Sequence, residues 1–444
     1  MALRHVRVAA GVRRWLRRSS TAAASVATST GGSEADAPQH VVVGMSGGVD
    51  SSVAALLLKQ RGFRVTGVYM KNWDASDEAG DVACPVDADF QDVKDVCEQL
   101  GIEAKQVNLV QSYWNSVFAP SLESFEEGLT PNPDILCNRE IKFKAFLDYC
   151  ARIGADFVAT GHYAKLQPAE GGGSPQLFAA HDVSKDQSYF LSNVAGGAFS
   201  RVLFPLGDLN KSEVRRIAAD AGLSTAQKKD SVGICFIGKR NFADFIHGYI
   251  QPQHGFFVTV DGERLHRHHG FTAYTLGQGA KLQGMGEKWF VVGKRKRDHS
   301  VIVAPGTKHP ALFSDALFAD AAEFNWIAGD MPQELRETGR MRCQYRVRYR
   351  QELGECTISF VSAGQVKAEA SKLHDWHDVD TQDNDSYLRV DFDHPQRGVT
   401  PQQALVLYRA DGLCYGGGPI ACAGETYFER HKELSPDVND WHQG

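Results

Sequence analysis

The sequence has no apolar run close to the roughly 20 residues that a membrane-spanning helix needs. Its nine cysteines are scattered singly, without the paired C-x-x-C spacing of a zinc knuckle. The odd count and the lack of a framework spacing also argue against structural disulfides. We therefore expect no membrane anchor and no fold that depends on zinc or disulfide bonds.

Acidic residues are absent from the first thirty positions, which hold six arginines and a tail rich in Ser, Thr and Ala. This composition is typical of an organelle transit peptide, and the arginine density favours the mitochondrial matrix over a plastid. A disordered basic tail with affinity for RNA is the alternative. Removing the six arginines takes the formal net charge from −6 to −12, so RNA binding would need local basic patches.

Alternating strand-like and helix-like segments predict a doubly wound α/β domain with a parallel sheet. Residues 40–44 are wholly apolar, as in a strand buried on both faces, and residues 49–59 and 64–70 predict the next helix and strand. Towards the C-terminus, short alternating segments between glycine turns predict a β-barrel. The predicted division is a transit peptide at 1–30, a linker at 31–39, a nucleotide-binding α/β domain at 40–240, a small connector domain at 241–303 and the barrel at 304–444.

A glycine- and serine-rich loop joins the first predicted strand to the first helix. No Gly-Lys-Ser/Thr follows it, so it is not a Walker loop, and it does not fit G-x-G-x-x-G. Glycines let backbone N–H groups approach an anion, and the start of a helix favours negative charge. Asp50 could help to hold Mg²⁺ or cap the helix. The loop resembles the S-G-G-x-D-S signature of the PP-loop ATP pyrophosphatases, and it comprises Gly44, Met45, Ser46, Gly47, Gly48, Val49, Asp50 and Ser51.

Cys137 follows a turn that two prolines make rigid, because each fixes its own φ and restricts the residue before it. The turn leads into an amphipathic helix with Phe143, Phe146, Leu147 and Cys150 on one side. A thiol near a helix N-terminus has a lowered pKa and is more nucleophilic. Asp134, three residues earlier, is either an N-cap or a general acid or base beside the thiol.

Cys235 lies between Ile234 and Phe236, and a cysteine in such a setting is more often a small core residue than a catalyst. Its own surroundings therefore leave its role open. Cys97 and Cys150 lie on apolar helical faces, so we expect both in the core.

The segment 341–350 alternates strictly between apolar and polar positions, and four of the five polar positions are arginine. On one strand face this would bury Met341, Cys343, Tyr345, Val347 and Tyr349. The other face would carry four arginines (Arg342, Arg346, Arg348 and Arg350), a stripe suited to phosphates, with a solubilising outer face of the barrel as the alternative. The histidines at 266, 268 and 269 lack Cys or carboxylate partners at ligand spacing, so we expect no metal site there.

Five motifs occur together and in order: the loop at 44–51, Pro-Asn-Pro-Asp-Ile-Leu-Cys-Asn at 131–138, Ala-Thr-Gly-His-Tyr at 159–163, Lys-Asp-Gln-Ser-Tyr-Phe at 185–190, and Gly-Ile-Cys-Phe-Ile-Gly at 233–238. Together they resemble the tRNA-specific 2-thiouridylase family over about residues 41–420, and the leader suggests its mitochondrial member. The sequence departs from the family at 279–281, where Gly-Ala-Lys replaces a basic turn, so no tRNA contact is carried over there.

The resemblance implies transfer of sulfur to C2 of the wobble uridine of certain tRNAs, with ATP and Mg²⁺ and a sulfur-donor protein that delivers persulfide. Cys235 would carry the persulfide, and Cys137 would release the sulfur or close a transient disulfide. Met70 and Gly161 would join the loop in contacting ATP. Asn132, Pro133 and Asp134 would meet the target base. Further tRNA contacts would come from His162, Lys185, Asp186, Gln187, Arg348, Tyr349 and Gln403.

The chemistry is coherent, because adenylation of a uridine C2 oxygen makes that oxygen a good leaving group for a sulfur nucleophile. Two other classes stay open at this point. One is a PP-loop ligase or amidotransferase acting on a small acceptor. The other is an RNA-binding protein whose loop holds nucleotide without turnover.

Overall fold

The computed structural model describes residues 37–74, 85–169, 172–230, 240–375, 386–435 and 438. The chain divides into two compact units. The first unit contains the chain up to Val117, the stretch Leu136–Val232 and the short return Gly412–Cys414. The second unit contains Phe118–Ile135, Gly233–Asp411 and the chain from Tyr415 onward. No helix among the described residues is long and apolar enough to span a bilayer.

The first unit is built on a five-stranded sheet in the order β3-β2-β1-β4-β7, in which all neighbours are parallel. Val41, Val42 and Val43 are fully buried, which explains why the first strand is continuously apolar. The doubly wound prediction is therefore confirmed. The strands are β1 (His40–Met45), β2 (Arg64–Lys71), β3 (Glu103–Asn108), β4 (Phe157–Thr160) and β7 (Val202–Leu203), with a separate hairpin of β5 (Lys165–Gln167) and β6 (Gln176–Phe178).

Helix α1 (Val49–Gln60) begins directly after the extended residue Gly48 and ends before Gly62, whose φ of +89° favours glycine. It packs against α8 (Lys211–Asp220), which starts with a capping box between Asn210 and Glu213. The predicted helix at 49–59 and strand at 64–70 are confirmed. The other helices of this unit are α2 (Pro85–Leu100), α3 (Val110–Tyr113), α6 (Phe146–Arg152) and α7 (Ser188–Leu191), and a 3₁₀ turn spans Gly196–Arg201.

A continuous helical run carries Cys137. It consists of α5 (Pro133–Leu136), a π-helical segment (Cys137–Ala145) and α6. Phe143 has non-helical angles (φ −109°, ψ 20°), which marks a kink inside the π-helical segment. Phe143, Phe146 and Cys150 are buried, as the amphipathic pattern predicts, whereas Leu147 is only partly buried. A second π-helical segment spans Trp114–Phe118, and π-helical turns are frequent at functional sites.

The second unit contains a four-stranded sheet in the order β10-β11-β8-β9. Its core is formed by Phe257, Phe271, Val291, Val301 and Val303. The elements here are α4 (Ala119–Glu126), α9 (Phe242–His247), β8 (Gly255–Thr259), β9 (Arg264–His268), β10 (Trp289–Arg295) and β11 (Ser300–Pro305), with 3₁₀ turns at Phe271–Ala273 and Lys296–Asp298.

The remaining strands form the predicted barrel. Their order is β12-β16-β15-β14-β17-β18, and an additional β12–β18 pairing closes the sheet on itself, while β13 adds to β18. The elements are β12 (Phe313–Asp320), β13 (Asn325–Trp326), α10 (Gln333–Thr338), β14 (Arg340–Arg346), β15 (Gly354–Ser362), α11 (Ala363–Glu369), β16 (Ser386–Arg397), β17 (Ala404–Tyr408) and β18 (Cys414–Ala423), with a 3₁₀ turn at Pro310–Leu312.

The arginine stripe predicted for residues 341–350 is wrong. Strand β14 ends at Arg346, so the alternation stops before Arg348 and Arg350, which lie in the following turn. Arg346 is itself buried (4% exposed), and its guanidinium lies 5.5 Å from the centre of the Tyr408 ring. Arg342 is exposed but binds both carboxylate oxygens of Asp393 at 2.6 Å. The apolar half of the pattern is confirmed for Met341, Cys343, Tyr345 and Val347, which are buried, but not for Tyr349, which lies in the turn after β14 and is only partly buried.

Candidate active site

The loop at 44–51 is held by its own serines. The backbone N–H of Ser46 donates to Ser51 Oγ (3.2 Å), and Ser51 Oγ donates to the Gly48 carbonyl (3.2 Å). Ser52 donates to the same carbonyl at 2.8 Å. Gly47 has a φ of +73°, and a Cβ there would lie 2.7 Å from the Asp89 carbonyl. The loop therefore depends on glycine for its conformation and lies at the start of a helix, which suits a phosphate group.

The other two predicted ATP contacts lie against this loop. A Cβ on Gly161, just after β4, would be 2.7 Å from the Ser51 nitrogen, so the two backbones pass within contact distance. A Cβ on Gly44 would be 3.2 Å from Met70 Cε, at the end of β2. Both contacts lie at the carboxyl ends of adjacent parallel strands, the edge where doubly wound sheets bind ligands. The roles of these residues in binding ATP stay predictions.

Asp50, in the first turn of α1, is held by two partners. The Tyr163 hydroxyl donates to Oδ1 at 2.8 Å, and Lys211 Nζ lies 2.8 and 2.7 Å from the two carboxylate oxygens. The Lys211 side chain is only 13% exposed. Burial, followed by the neighbouring charge of Asp50, raises the pKa of Tyr163 far above its ordinary value, so this phenol stays protonated and acts as a donor.

Lys211 is the residue at this site that the sequence analysis missed. Besides Asp50 it binds Asp230 at 2.9 Å, and so joins the nucleotide loop to a second carboxylate. Burial alone would raise the pKa of Asp230, but hydrogen bonds from Lys211 and Lys185 lower it to about 2. One feature of the sequence could have drawn attention to Lys211: the capping box of Asn210 and Glu213, which places Lys211 at the first position of a helix.

Lys185 and Gln187 are near this charged group, although the resemblance assigns both to tRNA. Lys185 Nζ lies 3.0 Å from Asp230 and its side chain is about one-third exposed. Gln187 exchanges hydrogen bonds with Tyr163: its side-chain oxygen accepts from the Tyr163 N–H at 3.0 Å, and its own N–H donates back at 2.8 Å. Gln187 therefore orients the tyrosine that binds Asp50.

Asp186 is 2% exposed and serves the local fold. Its Oδ1 accepts from the N–H groups of Ala180 (3.0 Å) and Ser188 (3.1 Å), and its Oδ2 accepts from the Ser188 hydroxyl (2.9 Å). These bonds fix the turn that presents Lys185 and Gln187. A direct contact of Asp186 with tRNA stays a prediction.

His162 is also buried, at 7% exposed. Its Nδ1 lies 2.7 Å from Thr160 Oγ1, and its ring packs against Phe143 and Phe204. Burial and then the charge of Lys142 hold its pKa well below 6.5, so the ring is neutral at neutral pH. The structure thus connects His162 with the kinked residue of the Cys137 segment.

Cys137 is buried (5% exposed) and lies one turn inside the helical run that starts at Pro133. Its segment packs against α3. The two thiols predicted to be in the core are poor nucleophiles. Burial raises the pKa of Cys97 to about 11 and that of Cys150 to about 12, so both stay protonated at neutral pH. Both are buried as predicted. Cys235 lies outside the described residues, so its role stays a prediction.

The residues assigned to the target base belong to the second unit. Asn132 Oδ1 accepts from the Ile135 N–H at 3.3 Å and so caps the helix, which makes Asn132 rather than Asp134 the N-cap. Gln403 Nε2 donates to the carbonyls of Thr130 (2.8 Å) and Pro131 (3.4 Å). Gln403 therefore supports the turn that carries Asn132, Pro133 and Asp134. The turn predicted to meet the target base and Gln403, a predicted tRNA contact, therefore lie next to each other.

Arg348 lies in the turn after β14, next to Tyr349. Its Nη2 donates to the carbonyls of Arg397 (2.7 Å) and Gly398 (2.6 Å). Gly398 has a φ of +60°, and a Cβ there would lie 2.9 Å from the same nitrogen. The guanidinium is therefore held in one position by backbone groups. Binding of tRNA by Arg348 and Tyr349 stays a prediction.

A nucleotide loop of this kind on a five-stranded parallel sheet defines a PP-loop ATP pyrophosphatase domain. Family models match residues 39–239 as a tRNA methyl transferase HUP domain, 243–305 as a tRNA methyl transferase PRC-barrel domain and 377–420 as an aminomethyltransferase beta-barrel domain.

The family models carry methyl transferase descriptions, whereas the curated relatives are named as 2-thiouridylases. The tRNA-specific 2-thiouridylase MnmA of Staphylococcus carnosus is 44% identical over 383 residues, which are 86% of this chain and 95% of that protein. The enzyme of the same name from Halalkalibacterium halodurans is 46% identical over 391 residues, 87% of this chain and 96% of that protein. The chain belongs to the tRNA-specific 2-thiouridylase family.

Proposed function

We propose that this chain is a tRNA 2-thiouridylase that adenylates the C2 oxygen of a wobble uridine and replaces it with sulfur. One observation carries the proposal: the nucleotide loop and the Cys137 helix are in contact. A Cβ on Gly44 would lie 3.3 Å from Phe146 Cε1, and Phe146 directly follows the segment that begins with Cys137. The helical run that carries Cys137 is thus packed against the start of the phosphate-binding loop within the first unit.

In the first step the uridine C2 oxygen attacks the α-phosphorus of ATP, and pyrophosphate leaves. The N–H groups and hydroxyls of the loop at 44–51 bind the phosphates, and Lys211 stabilises the charge that builds up on them. Tyr163 and Gln187 orient Asp50, which keeps Lys211 in place. The product is a uridine whose C2 carries an O–AMP leaving group.

In the second step a persulfide sulfur on Cys235 attacks C2, and the C2–O bond breaks to release AMP. The Cys137 thiolate then attacks the inner sulfur of Cys235. The S–S bond between the transferred sulfur and Cys235 breaks, so the sulfur stays on C2, and a Cys137–Cys235 disulfide forms. A thiol reductant must then return both residues to thiols, and a sulfur-donor protein must reload Cys235.

Mg²⁺ would supply charge neutralisation for the ATP phosphates when it is bound. Among the described residues no cluster of three or more His, Cys, Asp or Glu side chains could hold a metal ion by itself. Proteins commonly bind Mg²⁺ through one or two carboxylates together with substrate phosphates and water. Asp50 is the carboxylate at the loop; its side chain is about one-third exposed, and its oxygens would be shared between the ion and Lys211.

We also propose that residues 1–30 direct the chain to the mitochondrial matrix. The support is compositional: six arginines and no acidic residue. A fluorescent protein fused after residue 39 would be imported into mitochondria, and replacement of the six arginines by glutamine would abolish import. Diffuse cytosolic or plastid fluorescence with the intact leader would contradict this assignment.

Reconstitution tests the enzymatic proposal. Purified protein, ATP, Mg²⁺, a persulfide donor and unmodified tRNA with a wobble uridine should give 2-thiouridine in a nucleoside digest. Pyrophosphate should appear only when tRNA is present. Pyrophosphate release with a small acceptor and no tRNA would favour a ligase, and ATP binding without turnover would favour a nucleotide-responsive RNA-binding protein.

A further inference from the structure

Two tryptophans stack at the carboxyl edge of the sheet in the first unit. The rings of Trp73 and Trp114 are 5.8 Å apart and inclined by 20°. Tyr113 meets Trp73 edge-on at 6.3 Å and is itself buried. Trp73 comes two residues after β2, and Trp114 follows α3, the short helix after β3, so both come shortly after the carboxyl ends of adjacent parallel strands.

Trp114 is unusually exposed for its size. With 42% of its surface accessible, it is one of three large hydrophobic side chains that are exposed in the described part of the chain; the others are Val183 and Tyr249. The exposed Trp114 ring, stacked on the partly buried Trp73, offers a flat aromatic surface to a ligand. Large aromatic rings at a surface are also the side chains on which unpaired nucleobases stack.

Elements next to the tryptophan pair contact both parts of the proposed site. On one side, β2 brings Met70 towards Gly44 of the nucleotide loop. On the other side, α3, which Trp114 directly follows, packs against the π-helical segment that begins with Cys137. Trp114 also begins a π-helical segment of its own, a feature that often marks functional sites.

The chemistry of the reaction supplies an occupant. A wobble uridine can reach a loop and a thiol only if it leaves the stacked anticodon loop, and its neighbours then lose a stacking partner. From these observations we propose that the Trp73–Trp114 pair receives a nucleobase of the tRNA anticodon loop adjacent to the modified uridine. The adenine of ATP is a base of similar chemistry and could occupy the same place. The test must therefore distinguish a tRNA base from adenine. The inference rests on the proposed function, because it takes tRNA as the substrate.

The test uses the full-length protein and an unmodified tRNA that carries 2-aminopurine next to the wobble uridine. Stacking on Trp114 should quench the 2-aminopurine fluorescence when the wild-type protein binds. Trp114→Ala should abolish that quenching and weaken tRNA binding roughly tenfold, whereas Trp114→Phe should keep affinity within roughly threefold. Val183→Ser, which changes another exposed side chain of the first unit, serves as the control and should leave both readouts unchanged.

Binding of ATP, measured without tRNA, decides between the two sources of the base. The proposal requires that Trp114→Ala leave the Kd for ATP unchanged. A loss of ATP affinity with unchanged tRNA affinity would assign the pair to adenine and overturn the proposal. Unchanged quenching and tRNA affinity in Trp114→Ala would overturn it as well. Formation of 2-thiouridine by the wild-type protein is a separate readout, so a failure of the stacking proposal is distinguishable from a failure of the proposed function.

Discussion

Charged side chains are used differently in the two units. In the first unit, Lys211 lies between Asp50 and Asp230. It connects the nucleotide loop to the segment that follows α8. In the second unit, Arg342 forms an exposed pair with Asp393 on the barrel surface. A mostly enclosed cation between two carboxylates is held in one place, whereas an exposed ion pair contributes little to stability or binding. The comparison teaches that the surroundings of a charge, rather than its presence, indicate function.

The largest expected effect concerns the Cys137 thiol. Cys137→Ser should reduce 2-thiouridine formation to below about one-thousandth of the wild-type rate, because the nucleophile is lost. Binding of ATP should be unchanged, and tRNA-dependent pyrophosphate release should still occur. Mass analysis of nucleosides and a pyrophosphate assay measure the two steps. Cys150→Ala is the control, since that thiol is a core group; full thiolation by Cys137→Ser would show that the assigned nucleophile is wrong.

The next effect tests the cation between two carboxylates. Lys211→Met should slow tRNA-dependent pyrophosphate release about 100-fold, because a preorganised positive charge near the phosphates is lost. Lys211→Arg should recover part of the rate. The matched control is Arg215→Gln, since Arg215 binds Asp230 at 2.6 Å but does not bind Asp50.

The role of Lys211 at the phosphates would be contradicted if Lys211→Met and Arg215→Gln lost the same amount of activity. Circular dichroism and the Tm of both variants would show whether either change had merely unfolded the first unit.

A smaller effect separates two arginines of the second unit. Arg348→Ala should raise the Kd for tRNA about tenfold, because backbone carbonyls hold its guanidinium in one position. Arg342→Ala should change the Kd by less than about twofold, since Asp393 already neutralises that side chain. Filter binding at several salt concentrations measures both. Equal effects of the two substitutions would mean that the turn after β14 has no special part in binding.

The smallest effect is on stability and concerns Lys294 in β10. This lysine is buried, its Nζ donates to the Tyr274 carbonyl at 2.8 Å, and burial lowers its pKa to about 7. Between pH 7 and its ordinary pKa of 10.5 the unfolded chain binds a proton that the folded chain does not, so stability should rise with pH over that window.

Lys294→Met should flatten this rise, and thermal unfolding at pH 7, 8 and 9 would measure it. Lys296→Met, which changes an exposed lysine of the following turn, is the control. An identical slope of Tm against pH in wild type and Lys294→Met would show that Lys294 is charged in the folded protein.

Local patterns in the sequence predicted the first unit well. The apolar run 40–44, the loop at 44–51 and the following helix depend on neighbouring residues, so their structure could be derived from the sequence. The same holds for the buried face of the Cys137 helix. The barrel was also predicted, because alternation and glycine turns are local signals.

Other features depend on contacts that local patterns do not contain. Lys211 meets Asp50 across 161 positions of sequence, so no spacing could indicate their pairing. The arginine prediction for 341–350 failed because β14 ends at Arg346 and because Arg342 has a partner 51 positions away. The kink at Phe143 and the capping role of Asn132 were likewise visible only in the folded chain.

The central claim is that the enzyme uses ATP to adenylate the uridine C2 oxygen. The most direct measurement uses tRNA whose wobble uridine carries ¹⁸O at C2, followed by mass analysis of the AMP released during thiolation. The account predicts that each AMP formed with a 2-thiouridine contains the heavy oxygen, because the C2–O bond breaks and the P–O bond is kept. AMP without ¹⁸O, formed at the same rate as 2-thiouridine, would contradict it.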